Sequence, residues 1–116
     1  MLTNNGNNPA QIITWSALRM RKWRNLTRFQ KKWILDKAHR LYRKFVSENH
    51  WIPHRSERRA LIENLYRQIS SRGIMIYKGE VFRVVDHRMR KWNRRYLEKE
   101  MEKARQVIQN GNETAE

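Results

Sequence analysis

One uninterrupted helical period limits what this chain can become. Between Thr27 and Asn49 the residues Ile34, Ala38, Leu41 and Phe45 recur at i, i+4, i+7 and i+11, a spacing that gathers apolar side chains on one stripe of an α-helix. In front of it stands Thr27-Arg28-Phe29-Gln30. This is the capping-box pattern, in which a Thr hydroxyl and a Gln side chain each satisfy a backbone N–H left without a partner at a helix start. Such a helix spans about 30 Å, close to the diameter of a small domain, so it is expected to be the spine of the fold.

The face opposite the stripe is cationic. At about 100° per residue, Arg28, Lys32, Arg40 and Arg43 fall on the far side from Ile34 and Leu41, flanked by Lys37 and Lys44, with Asp36 the only acid among them. A face built for solubility alone mixes both signs, because Glu and Lys at i, i+4 support each other. Phe29 and Trp33 lie one turn apart inside this basic arc. A large ring there either packs on another element or meets a ligand, and Trp33 suits both packing and base stacking.

The same imbalance runs through the whole chain. Its 116 residues suffice for one modest core, and 26 Lys and Arg against 11 Asp and Glu give a formal charge of +15. That excess opposes compaction by self-repulsion and points to a polyanionic partner. Residues 1–95 carry a net +17 and residues 96–116 a net −2, so the tail is a different surface. Arg outnumbers Lys 17 to 9, and the planar guanidinium fork matches phosphate geometry better than an ammonium does. With no Cys there is no disulfide, thiol nucleophile or Cys-based zinc site.

No run of 18 apolar residues is present to span a membrane, and the start lacks a signal-peptide core. The first 35 residues contain no acid, as in a mitochondrial transit peptide. A cytoplasmic or nucleoid-associated location is expected, with the mitochondrion as the alternative.

Residues 1–8 read as a disordered lead-in, 9–109 as a single basic helical domain and 110–116 as a flexible tail. Asn8-Pro9-Ala10-Gln11 is a good start signal for a first helix from Pro9 to Trp23, with Ile12, Trp15 and Leu18 facing inward. Ser56 is the expected cap of a helix from Glu57 to Arg72, with Leu61, Ile62, Leu65, Tyr66 and Ile69 forming one broad apolar face and Gly73 ending it. Ile74 to Val85 reads as a short β-hairpin around Lys78-Gly79. The rival is a helix from near Glu80, because Val81, Val85, Met89, Trp92 and Tyr96 also keep a helical period. Asp86 is placed to cap a last helix through Gln109. Its seam of Leu97, Met101, Ala104 and Ile108 either packs on the spine or pairs with a protein partner or a second copy.

The expected fold class is therefore mainly α, about four helices with a short hairpin. A winged-helix-like arrangement is one option. In it, Glu57 to Arg72 would be the recognition helix, with Asn64, Arg67, Gln68 and Ser71 offered to base edges and Lys78 at the wing tip.

One repeat stands out: Arg19-Met20-Arg21-Lys22-Trp23 recurs unchanged as Arg88-Met89-Arg90-Lys91-Trp92. It is either a coincidence of two basic amphipathic segments or one tool presented twice, cations for phosphates beside an anchoring ring. His39, His50, His54 and His87 invite a metal reading, but Pro53 interrupts the closest pair and no acid cluster completes a ligand set. No cofactor is expected. The scattered acids form no catalytic motif, so no enzyme is expected either.

The functional expectation is a non-enzymatic nucleic-acid-binding protein, for RNA or DNA, serving as a small subunit of a nucleoprotein complex. The backbone contacts would be Arg19, Arg21, Lys22, Arg28, Lys32, Arg40, Arg43, Lys44, Arg88, Arg90, Lys91, Arg94 and Arg95, with Trp33 stacking on a base. The alternatives are a winged-helix-like DNA-binding regulator, an adaptor or inhibitor on an acidic protein surface, and a peripheral membrane-surface protein.

Overall fold

The computed structural model describes residues 20–115, with residues 112–115 as backbone only. Three helices follow a 3₁₀ turn at Trp23–Asn25: α1 (Arg28–Asn49), α2 (Arg55–Ser71) and α3 (Lys78–Ala115). The lead-in and most of the predicted first helix, Arg19 included, lie outside the described residues. The end of that helix is corrected, because Met20 to Lys22 are not helical.

Helix α1 starts as its sequence demands. The Thr27 hydroxyl accepts from the Gln30 N–H (3.1 Å) and Gln30 Oε1 accepts from the Thr27 N–H (2.9 Å). The buried stripe is Ile34, Ala38 and Tyr42, while Leu41 and Phe45 are only half-buried. It follows an i, i+4, i+8 row because the neighbouring helices press on that row, and because the Tyr42 hydroxyl finds a partner inside.

The helix ends at His50 in the left-handed region (φ 56, ψ 25), its N–H bonded to the Val46 carbonyl at 2.8 Å. A side chain there is strained by about 1–2 kcal/mol, which glycine avoids at some cost in unfolded-state entropy. His50→Gly is therefore expected to raise stability by about 0.5–1 kcal/mol. A thermal midpoint unchanged or lowered in that variant would contradict the strain argument.

Helix α2 begins earlier than expected. His54 takes the cap position in place of Ser56, and its N–H donates to Glu57 Oε1 at 2.9 Å. Gly73, at φ 84, closes the helix as predicted. The Ile74 N–H reaches back to the Ile69 carbonyl (3.2 Å), which turns Ile74 into the core.

The hairpin does not form, and among the described residues there is no strand pair to make a wing, so the winged-helix option falls with it. A strand over residues 80–85 would put Arg83 on the same face as Val81 and Val85. A helix puts Val81, Val85 and Met89 on one row, and all three are wholly buried. Burying each such side chain gains about 1.5–3 kcal/mol, more than the few tenths by which β-branched residues disfavour a helix. Lys78, expected at the wing tip, is instead the first residue of α3 and pairs with Glu63 (2.6 Å).

The extended residues before α3 pair elsewhere. The Arg21 N–H donates to the Met75 carbonyl and the Tyr77 N–H to the Arg21 carbonyl, both at 3.1 Å, a single parallel bridge between Arg21 and Ile76. The Trp23 N–H donates to Glu80 Oε1 at 3.0 Å. Together with the hydrogen bond from Arg83, that contact holds the Glu80 carboxyl below the usual carboxylate range.

One hydrophobic cluster joins all of these parts, from Leu26 through the rows of α1, α2 and α3. Pro53 is wholly buried at the bend between α1 and α2. Among the described residues one polar side chain is buried, Asn93, which continues the Val81, Val85, Met89 row. It accepts from the Tyr42 hydroxyl (2.8 Å) and donates through Nδ2 to the Pro53 carbonyl (3.2 Å). Burial, helped by the neighbouring Tyr96, pushes the Tyr42 phenol up to about 12.

Beyond Leu97 the last helix leaves the core. Met101, Ala104 and Ile108 are exposed, so the expected packing of this seam on the spine is not found. Helix α3 also continues through residues 110–115, which the sequence suggested as a tail.

Candidate nucleic-acid interface

Helix α3 sets the geometry of the basic surface. Val85, Met89 and Asn93 point into the core, so the helical period places Arg90, Arg94, Lys91 and Arg95 in succession around its outer side. Four hollows line this arc. Between α2 and α3, Arg55, Arg59, Phe82, Arg83 and Arg90 surround about 550 Å³. Across the back of α3 lie a hollow formed by His87, Arg90, Asn93 and Arg94 and another formed by Lys91, Arg94, Arg95 and Glu98. Between α3 and α1 a hollow of about 520 Å³ is lined by His39, Arg43, Trp92, Arg95, Tyr96 and Lys99, with Tyr42 at its base.

Neighbouring hollows share residues. Arg90 lines the first and second, Arg94 the second and third, and Arg95 the third and fourth. The cations therefore form one band running from α2 over α3 to α1.

Two acids lie in the band, and they weigh on it unequally. Asp86 accepts from Arg58 Nε (2.7 Å) and faces Arg90 Nε at 3.2 Å. Arg58 also donates to the Pro53 carbonyl (3.3 Å) and is largely buried, so it serves the fold. Glu98 lines only the third hollow. Arg43, Arg88, Lys91, Arg94 and Arg95 enter no ion pair among the described residues, and Glu100 and Glu102 pair with Lys103 and Arg105 of their own helix. Apart from Glu98, the acids of the tail among the described residues thus pair within their own helix and leave the band uncovered.

The remaining candidates are distributed elsewhere. Arg28, Lys32 and Arg40 are exposed on α1 but line none of these hollows. Lys44 makes a long exposed contact with Glu48 (3.9 Å), which is worth little in water. Arg21 and Lys22 are exposed on the extended segment before α1. The two copies of the repeated pentapeptide adopt different structures, since residues 88–92 are helical while Met20 to Lys22 are not. They therefore do not present one tool twice.

Trp33 is half-buried against the core, with the Arg72 guanidinium 5.2 Å and the Lys37 ammonium 5.7 Å from its ring centre. It lines a shallow depression of about 390 Å³ with Arg67, Gln68 and Ser71. Three of the four base-edge candidates are thereby brought beside the stacking candidate. Asn64 stands apart, its Oδ1 accepting from Gln68 Nε2 at 3.1 Å.

The group that sequence reasoning missed is aromatic. His39 meets Trp92 edge to face with ring centres 4.8 Å apart, and Tyr42 meets the same ring at 5.3 Å. The available signal was Trp92 within a dense run of cations on a helix, which periodicity alone assigns to the core.

Among the described residues no three His, Asp or Glu converge as metal ligands, and no helix is long and apolar enough to cross a membrane. No family model, curated protein sequence or solved structure matches this chain.

Proposed function

We propose that this chain is a non-enzymatic nucleic-acid-binding protein, a small subunit of a nucleoprotein complex, which holds a phosphate backbone along the band over α3. The observation that carries this reading is the continuity of the band through Arg90, Arg94 and Arg95. Binding is driven by release of the counterions condensed on the nucleic acid, which makes it strongly salt-dependent. The exposed cations outside the band, such as Arg28 and Lys32, add to the general field that draws a polyanion in.

The test is a titration of labelled RNA and DNA, single- and double-stranded, between about 50 and 200 mM salt. With about six phosphate contacts, log affinity should fall against log salt with a slope near −5 for a duplex or −4 for a single strand. Affinity independent of salt, or no binding at the low end, overturns the reading.

A second reading rests on the exposed Met101, Ala104 and Ile108. In it the tail of α3 is where a protein partner or a second copy attaches, which suits a subunit whose other surface is occupied by nucleic acid. Sedimentation at rising protein concentration tests self-association, and an unchanged monomer rules out the second copy.

A further inference from the structure

We infer that the hollow between α1 and α3 is a stacking subsite for an unpaired nucleobase, which makes the ligand a single-stranded nucleic acid. The inference rests on the backbone-binding reading and narrows it. The hollow has the two halves that a nucleotide needs. Its walls are the rings of His39, Trp92 and Tyr96, and its rim carries Arg43, Arg95 and Lys99, with no acid among its lining residues. An aromatic wall offers a π-face to any base, and guanidinium and ammonium groups at the edge receive the phosphates on either side of it.

The walls are held in place before anything binds. Trp92 is braced by His39 (4.8 Å, 67° between ring planes) and by Tyr42 (5.3 Å). Tyr96 is held edge to face by Trp51 at 6.4 Å. The hydroxyl of Tyr42 is already committed to Asn93. The Trp92 and Tyr42 rings therefore have little freedom left to lose on binding. At about 520 Å³ the hollow falls within the roughly 300–1,000 Å³ of small-ligand sites.

A paired base is excluded by its own stack, because a duplex shows edges and phosphates but no ring face, and extruding a base costs a few kcal/mol. A lipid surface is the poorer match. Interfacial binding needs apolar groups that protrude, whereas Trp92 and Tyr96 are half-buried, Tyr42 is 5% exposed, and the exposed ring of the site, His39, is polar.

The test compares three probes of about 12 nucleotides by fluorescence anisotropy: a single strand, the same strand with abasic sites at its centre, and the corresponding duplex. The abasic strand keeps every phosphate. It should bind about 5- to 150-fold more weakly than the intact strand, since stacking is worth about 1–3 kcal/mol per base. His39→Ala alters an exposed side chain, so it should fold normally and shrink that difference. If abasic and intact strands bind alike with the expected salt slope, the stacking subsite is overturned while the backbone band stands. A difference that persists undiminished in His39→Ala places the base elsewhere and also overturns it. If no probe binds at low salt, both readings fail together.

Discussion

Replacing Lys91, Arg94 and Arg95 together by Ala is expected to weaken nucleic-acid binding by roughly two orders of magnitude near 0.1 M salt and to reduce the salt slope by about 2 to 3. Each phosphate contact contributes about 0.9 to the slope on a duplex and about 0.7 on a single strand, and this slope is what a titration of the variant measures. The three residues enter no ion pair among the described residues. Their removal relieves repulsion in a chain of charge +15, so the thermal midpoint should hold or rise. Arg28→Ala with Lys32→Ala, which removes charge outside the band, is expected to change affinity several-fold at most. A triple variant that keeps the wild-type slope would remove the band from the mechanism. Equal losses in the two variants would reduce it to generic charge.

Asn93→Leu should destabilise the fold by about 1–3 kcal/mol. Leucine suits the position sterically, in line with Val81, Val85 and Met89. Its insertion nevertheless leaves the Tyr42 hydroxyl buried without a partner and takes from the Pro53 carbonyl one of its two donors, Arg58 remaining, and an orphaned buried group costs about 1–3 kcal/mol. For a domain of this size the thermal midpoint should fall by about 5 °C or more. Adding Tyr42→Phe to Asn93→Leu should recover part of the loss, because the orphaned hydroxyl disappears, and a double-mutant cycle isolates that coupling.

The network also has a pH signature. The Tyr42 phenol is raised from 10.0 to about 12 by burial, so the folded chain holds its proton more tightly than the unfolded one. The associated stability is fully present below pH 10 and is lost as pH rises through about 12. Tyr42→Phe should lack that alkaline loss. An Asn93→Leu protein as stable as the wild type would show that the network contributes nothing.

The parts of the fold that depend on neighbours in sequence could be read without coordinates. Thr27 and Gln30 satisfy each other three residues apart, Gly73 takes up a left-handed turn, and Ile62, Leu65 and Ile69 share a face by helical period alone. The ambiguous stretch was 74–85. There the β-branched residues favoured a hairpin locally, and only the presence of α1 and α2 beside Val81 and Val85 made helix the lower free-energy choice. The bridge from Arg21 to Ile76 joins segments with no shared pattern, so nothing local announced it. Asn93 carries no local sign of its burial, because its partners, Tyr42 and the Pro53 carbonyl, belong to distant parts of the chain.

The candidate site divides in the same way. An excess of guanidinium groups, their helical faces and the opposite charge of the tail follow from the order of residues, because charge and the period of about 3.6 residues are properties of the chain itself. Which of those groups become neighbours does not. Arg43 and Arg95 meet across a hollow, Arg55 and Arg59 meet Arg90 across another, and His39 meets Trp92, only because burying the apolar rows of three helices fixes how their opposite faces adjoin. Periodicity tells each helix which side to hide. Packing alone decides what the exposed sides build between them.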